Sequence, residues 1–455
     1  MHATHQPRLV VLGLDGLPYT LARDLCARGC LPNLARVFSP DSPLHQDPNA
    51  APQPMLAELP ELSPVNWTSF YTASGPEEHG VYGFTRINGK TYRISLADST
   101  QVLAPTIFSR IGQSGWVSRV VNLPNTYPAQ PMPGKLIAGF PAPDLASAVF
   151  PPPLLGPLAN MGYQLEADTD RGGYDPKLLL SELHTTLKSR QTALDLLWPD
   201  PDWHLFVFVL TETDRLFHFL YPAVEDPSHD AHRGCMEFFQ AWDKLVGGVL
   251  DRYLALPEPK QLMIMADHGF TRLDMECDLN VWLQQQGYLV LGPAGDHSSE
   301  LDATRILPQS RAFALDPGRI YLHTQERFAR GTIVSSQVPE LLTELTAKMS
   351  ALTWEGKPVM EKVLTAEQTY GGQGPDSGPG RALAPDLVCV PNRGIDLKAK
   401  FDRTELFSRF HRAGTHTATN AFFYHSAGKA TRSVRDTGQH VLDYFSDHPT
   451  SLVLS

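Results

Sequence analysis

Three apolar runs constrain this chain more than any other feature. Residues 9–14 (Leu-Val-Val-Leu-Gly-Leu) run straight into Asp15-Gly16. Leu205–Leu210 (Leu-Phe-Val-Phe-Val-Leu) leads into Thr211-Glu212-Thr213-Asp214. Residues 262–266 end in Asp267-His268-Gly269. A short run that is apolar throughout reads as a strand buried on both faces, the signature of a parallel sheet. Helical patterns separate these strands, so the expected fold is α/β, a mainly parallel sheet sandwiched by helices. In such sheets ligands bind at the carboxyl ends of the strands. Three acids sharing that edge would repel one another unless cations sat between them.

Between these runs the patterns predict helices over 21–37, from Ser63 to about 73–74, and over Ile107–Gln113, 178–197, 235–254, 281–286 and 338–352. Further strands are expected at 92–96, 117–121, 136–138, 387–390 and 421–424. Residues 39–62 are proline-rich and lack periodicity, as does the Gly/Pro-rich stretch 371–380, and both read as loops. The whole chain reads as one catalytic α/β domain, with cap or lid segments expected at about 140–200 and 280–370.

The stretch Glu61-Leu62-Ser63-Pro64-Val65-Asn66-Trp67-Thr68 stands out among the helix starts. Proline favours the first helical position and serine the cap before it. Ser63 is therefore expected at a helix N-terminus, where the backbone N–H groups and the dipole favour anions. A hydroxyl there is a candidate nucleophile if another group activates it. Thr68 is the rival, but it lies more than a turn into the helix.

Asp214 and His218 are four residues apart and share one face if a helix follows the strand. Asp267 and His268 are adjacent past a strand, so a turn can aim them at two metals or gather both on one. His416, expected in a polar loop, and Asp15 complete a set of oxygen and nitrogen donors suited to zinc or manganese. Two such ions could clamp the attacking and leaving oxygens of an in-line displacement, with Ser63 attacking.

These motifs, with Gly75-Pro-Glu-Glu-His-Gly80, Asn122-Leu-Pro-Asn-Thr-Tyr-Pro, Gly139-Phe-Pro-Ala-Pro and Gly414-Thr-His416, resemble the alkaline phosphatase superfamily. The likeness is to its type I phosphodiesterase/nucleotide pyrophosphatase branch and to bacterial predicted phosphohydrolases/phosphomutases. It implies one metal site of Asp214, His218 and His416, a second of Asp15, Asp267 and His268, and Ser63 between them. It also implies a phospho-Ser63 intermediate that water then hydrolyses. The branch places a phosphate-binding asparagine after the nucleophile helix; here Phe84 stands in that place, and Asn66 is the candidate substitute. The resulting expectation is a two-metal phosphohydrolase of phosphodiester or pyrophosphate bonds. The alternatives are a phosphomonoesterase or phosphomutase of the same superfamily, and a metal-binding module without catalysis.

Other classes fit less well. A sulfatase would need Cys/Ser-x-Pro-x-Arg, and Gly13-Leu-Asp-Gly16 is not the dinucleotide-binding GxGxxG. The net charge of -11 argues against a nucleic-acid partner and leaves a small phosphorylated substrate. Five cysteines with no CxxC pair favour reduced thiols, and no apolar run reaches the length of a membrane span. No signal peptide is seen, and the expected setting is cytoplasmic with no membrane partner.

Overall fold

The three constraining runs become β1 (Arg8–Leu14), β6 (Leu205–Leu210) and β7 (Lys260–Met265). They lie side by side, with β1 in the middle and parallel to both neighbours. Leu14 pairs with Leu210 and Gly13 with Met265, so all three strands end at the same level. Sequence regions far apart thus deliver Asp15, Asp214 and Asp267 to one edge. The computed structural model describes residues 6–295, 299–372 and 377–449. The first five residues of the polar N-terminus and residues 373–376 of the 371–380 loop lie outside it.

The sheet has eight strands. Its others are β2 (Gln53–Met55), β3 (Ser118–Leu123), β4 (Gly134–Ala138), β5 (Val149–Phe150) and β8 (Ala421–His425). Their order is β2-β8-β7-β1-β6-β3-β4-β5. The five central strands, β7 to β4, are parallel, and the short outer ones run antiparallel to their neighbours. The chain is therefore α/β with a large, mostly parallel central sheet and many helices, as its pattern predicts.

Two compact units make up the chain. The first holds residues 1–74, 98–271 and 416–455, and the second 75–97 and 272–415. Each has its own apolar core. Residues 140–200 belong to the first unit and 280–370 to the second. The second contains an antiparallel sheet built from Ala312–Leu315, Arg319–Leu322, Met360–Thr365 and Leu387–Pro391. Among the described residues no helix is long and apolar enough to cross a membrane.

The longer helices of the first unit are α1 (Tyr19–Ala27), α2 (Ser63–Thr72), α3 (Ile107–Gln113), α4 (Pro176–Leu197), α5 (Glu212–Glu225), α6 (His232–Leu254) and α7 (Val434–Ser446). The helix expected over 21–37 stops early. Gly29, at φ 74°, follows the cap of α1, and Pro32 cannot continue a helix, so 34–38 re-forms only as a 3-10 turn. All ten residues of α2 are buried. Trp67 on α2 presses onto β1, where a Cβ on Gly13 would stand 2.6 Å from the indole. Only glycine admits that approach, which seats α2 directly over the strand that carries Asp15.

Candidate active site

Asp15 follows β1, Asp214 lies in the first turn of α5 just past β6, and Asp267 follows β7. α5 forms after the strand, so Asp214 and His218 do share a face, with His218 Nε2 3.5 Å from Asp214 Oδ1. His416 is not in a loop; it sits in the short strand Gly414–Thr417, whose second half is only partly buried. Its Nε2 lies 3.1 Å from Asp214 Oδ1 and 3.1 Å from His218 Nε2. A carboxylate oxygen and two ring nitrogens so close need a shared cation or proton.

The second group gathers around His268. Its Nε2 is 3.3 Å from Asp267 Oδ2 and 3.8 Å from Asp15 Oδ1. Asp214, His218 and His416 form one set of candidate donors, and Asp15, Asp267 and His268 another, with the donor atoms of each within 4.8 Å of one another. The two sets adjoin. The His268 and His416 rings stack at 3.9 Å, and His268 Nε2 is 4.0 Å from Asp214 Oδ1.

Ser63 is the first residue of α2 rather than its cap; Leu62 takes that place. The serine hydroxyl is thereby released from capping and turned toward the second group. Ser63 Oγ is 3.2 Å from His268 Nε2 and 3.4 Å from Asp15 Oδ1. Thr68 is spoken for: its Oγ1 donates to the Pro64 carbonyl at 2.5 Å and accepts from Asn125 Nδ2 at 2.9 Å.

Asn66 does not join the site. Its Oδ1 accepts from the Glu58 N–H at 2.7 Å. Its Nδ2 donates to the carbonyls of Glu58 and Leu62 at 3.2 and 3.1 Å. The side chain is fully buried, and its amide ties down the end of the proline-rich loop instead of facing a substrate. Phe84 belongs to the second unit.

Electrostatics follow from burial and neighbours. Burial pushes Asp15 well above the ordinary carboxylate range, helped by Asp267 and Asp214. Burial also raises Asp267 to about 7, against the Gly16 N–H that donates to its Oδ1. Burial works the same way on Asp214, yet His218, His416 and Arg215 together hold it well below its ordinary value. Burial lowers both His268 and His416, so both rings are neutral. Their Nδ1 atoms face the carbonyls of Gly269 and Glu61 at 3.1 and 3.0 Å. A carbonyl accepts, so each Nδ1 carries the proton and each Nε2 offers its lone pair inward.

The donors fit divalent cations. They are carboxylate oxygens and neutral imidazole nitrogens, the set that suits zinc or manganese. Asp267 Oδ2 is buried and has no hydrogen-bond donor. Such an orphaned anion is costly unless a cation meets it.

The model of the family described as type I phosphodiesterase / nucleotide pyrophosphatase matches residues 9–419. The chain belongs to that family. Solved structures similar to this family member share its fold. Phosphonoacetate hydrolase from Sinorhizobium meliloti, in complex with phosphonoformate, is 15% identical over 97% of this chain and 96% of its own, with a TM-score of 0.60. Wild-type alkaline phosphatase PafA is 11% identical over 98% and 97%, with a TM-score of 0.57. An inactive murine ectonucleotide pyrophosphatase / phosphodiesterase 5 in complex with AMP is 12% identical over 98% and 96%, with a TM-score of 0.55. No curated protein matches the sequence.

Two groups here escape a motif-based reading of this family member. Trp67 Nε1 donates to Asp15 Oδ2 at 3.1 Å, although tryptophan reads as apolar filling. Arg215 Nη1 donates to Asp214 Oδ2 at 2.6 Å. Its signal was present in the sequence. A cation in the first turn of a helix opposes the dipole, so Arg215 serves something other than the helix.

Proposed function

We propose that this chain is a metal-dependent phosphohydrolase that cleaves phosphodiester or pyrophosphate bonds through a phosphoserine at Ser63. Family membership indicates a phosphoric ester hydrolase. The observation that carries the finer reading is Ser63 Oγ, 3.2 Å from His268 Nε2 and 3.4 Å from Asp15 Oδ1, at the N-terminus of α2 and beside two adjoining donor trios. All of these side chains come from the first unit.

Asp214, His218 and His416 would hold one divalent ion, and Asp15, Asp267 and His268 the other. Such ions lower the pKa of a coordinated hydroxyl and neutralise the charge that develops on phosphoryl oxygens. The chain's own residues do the rest. Ser63 Oγ gives up its proton to solvent and bonds to phosphorus, while the bond from phosphorus to the leaving oxygen breaks and that oxygen departs with the electron pair and takes up a proton from solvent. The first turn of α2 adds a favourable dipole for the anion. Trp67, Gly16 and Arg215 fix the three carboxylates, so the site is ordered before substrate arrives. Water then hydrolyses phospho-Ser63 and restores the hydroxyl. Two similar structures carry small ligands of this kind, phosphonoformate and AMP, which supports a small phosphorylated substrate.

Ser63→Ala tests the reading. Turnover of bis-p-nitrophenyl phosphate should fall by at least about a thousandfold, as when a covalent nucleophile is lost, with bound metal unchanged. Unchanged turnover would remove Ser63 from the chemistry. Wild-type rates on that diester above those on the p-nitrophenyl monoester support the diester assignment, and the reverse order replaces it with a phosphomonoesterase.

A further inference from the structure

The three site carboxylates share one arrangement. Each commits one oxygen to an outside donor and turns the other inward. Asp267 Oδ1 takes the Gly16 N–H, and Asp15 Oδ2 takes the Trp67 indole N–H. Both donors are neutral. Asp214 differs, because its Oδ2 takes the guanidinium of Arg215.

That cation is held from behind. Arg215 Nε lies 3.5 Å from Glu166 Oε2, and its Cζ sits 4.3 Å from the centre of the Phe140 ring. The Arg215 side chain is only 13% exposed. Beyond it, Arg190 pairs with Glu212 at 3.2 Å and donates to the Tyr163 hydroxyl and to the carbonyls of Gln164 and Leu165. Charges therefore alternate from α4 to the site. Glu212 answers Arg190, and Glu166 answers Arg215. Asp214 is the one anion left over, and its surplus charge points at His218 and His416. A buried guanidinium shared by two carboxylates is expensive unless both geometries are good. Retaining it beside the site implies a task that packing alone would not require.

Resting on the two-metal reading, we infer that Arg215, braced by Glu166, is a positioning residue that locks Asp214 to present Oδ1 alone and so sets the affinity of one cation site. With Oδ2 withheld, that site offers one oxygen and two nitrogens. Few donors with nitrogen prominent favour zinc over calcium, which takes six to eight oxygens. Partners behind a metal ligand typically carry about 10–100-fold in metal affinity.

The test is cobalt(II) titration of metal-free protein, followed by visible absorption. Arg215→Gln alone leaves Glu166 unpaired beside Glu212, so the informative protein is Arg215→Gln/Glu166→Gln, which leaves the net charge of the network unchanged. The wild type should take two equivalents. In the double variant one equivalent should weaken about 10–100-fold with an altered absorption band, while the other keeps its affinity and spectrum. A structural role alone would lower the melting temperature of the metal-free protein and leave both equivalents alike, and that result overturns the inference. Two equivalents of wild-type affinity and spectrum also overturn it, with the two-metal reading intact. A wild type that takes up no cobalt brings down the two-metal reading and this inference together.

Discussion

Replacing Asp267 by asparagine should stabilise the metal-free protein, although it removes a proposed metal ligand. Burial raises the folded-state pKa of Asp267 from the ordinary 3.8 to about 7. In the unfolded chain the group ionises at the ordinary value. Between these values the folded protein binds the extra proton, so stability falls as pH rises. The contribution is whole below about pH 4 and lost above about pH 7. At about 1.4 kcal/mol per pH unit, the gap is worth about 4 kcal/mol. An asparagine stays neutral at every pH. Its Oδ1 can still accept from the Gly16 N–H, and its Nδ2 can donate to the lone pair of His268 Nε2, 3.3 Å from the atom it replaces. From pH 4.5 to pH 8 the stability of chelator-treated Asp267→Asn in urea should therefore fall less than that of the wild type, by up to ~4 kcal/mol, while the contribution of the buried Asp15 remains in both. Adding zinc should stabilise the wild type at pH 8 by more than the variant, which keeps only the Asp214, His218 and His416 set whole. Equal slopes for the two metal-free proteins would refute the account of Asp267 as a strained, cation-seeking anion.

Two further outcomes follow from single side chains. Trp67→Phe keeps an aromatic ring on α2 but deletes the donor to Asp15 Oδ2; competition with a chromophoric chelator should show about 10-fold weaker zinc binding, with circular dichroism unchanged. Asn66→Ala removes three hydrogen bonds within 58–66 and should cost about 1–3 kcal/mol in urea unfolding, while zinc stoichiometry stays at the wild-type value.

What the sequence displays and what it hides divide along physical lines. β1, β6 and β7 are legible because a strand buried on both faces leaves a run with almost no polar residue. The acids are legible because they stand where each run stops. His218 follows from helical spacing. The strand holding His416 is hidden, because Gly-Thr-His-Thr is short, polar and half-exposed and so writes no pattern. The break after Gly29 is hidden for the opposite reason, since apolar residues on both sides keep a helical rhythm across it. The direction in which an amide or a carboxylate points has no sequence signature at all. Asn66 could face a substrate or the backbone, and only the loop that comes back at Glu58 decides it. The same holds for the paired oxygens of Asp214, whose separate duties depend on a guanidinium one residue away.

The first unit is written in three separated stretches, and the donor trios draw on them unequally. Asp15, Asp267 and His268 have all been synthesised once translation has passed residue 268. Asp214 and His218 must wait for His416, which lies beyond the whole second unit. The six donors are therefore not all synthesised until translation has passed residue 416, and β8, which pairs with β7, follows later still. The last stretch of chain works as a latch, supplying both His416 and the strand that flanks β7. A truncation before residue 416 would remove His416 and β8 together, taking one donor from the site and one strand from beside β7.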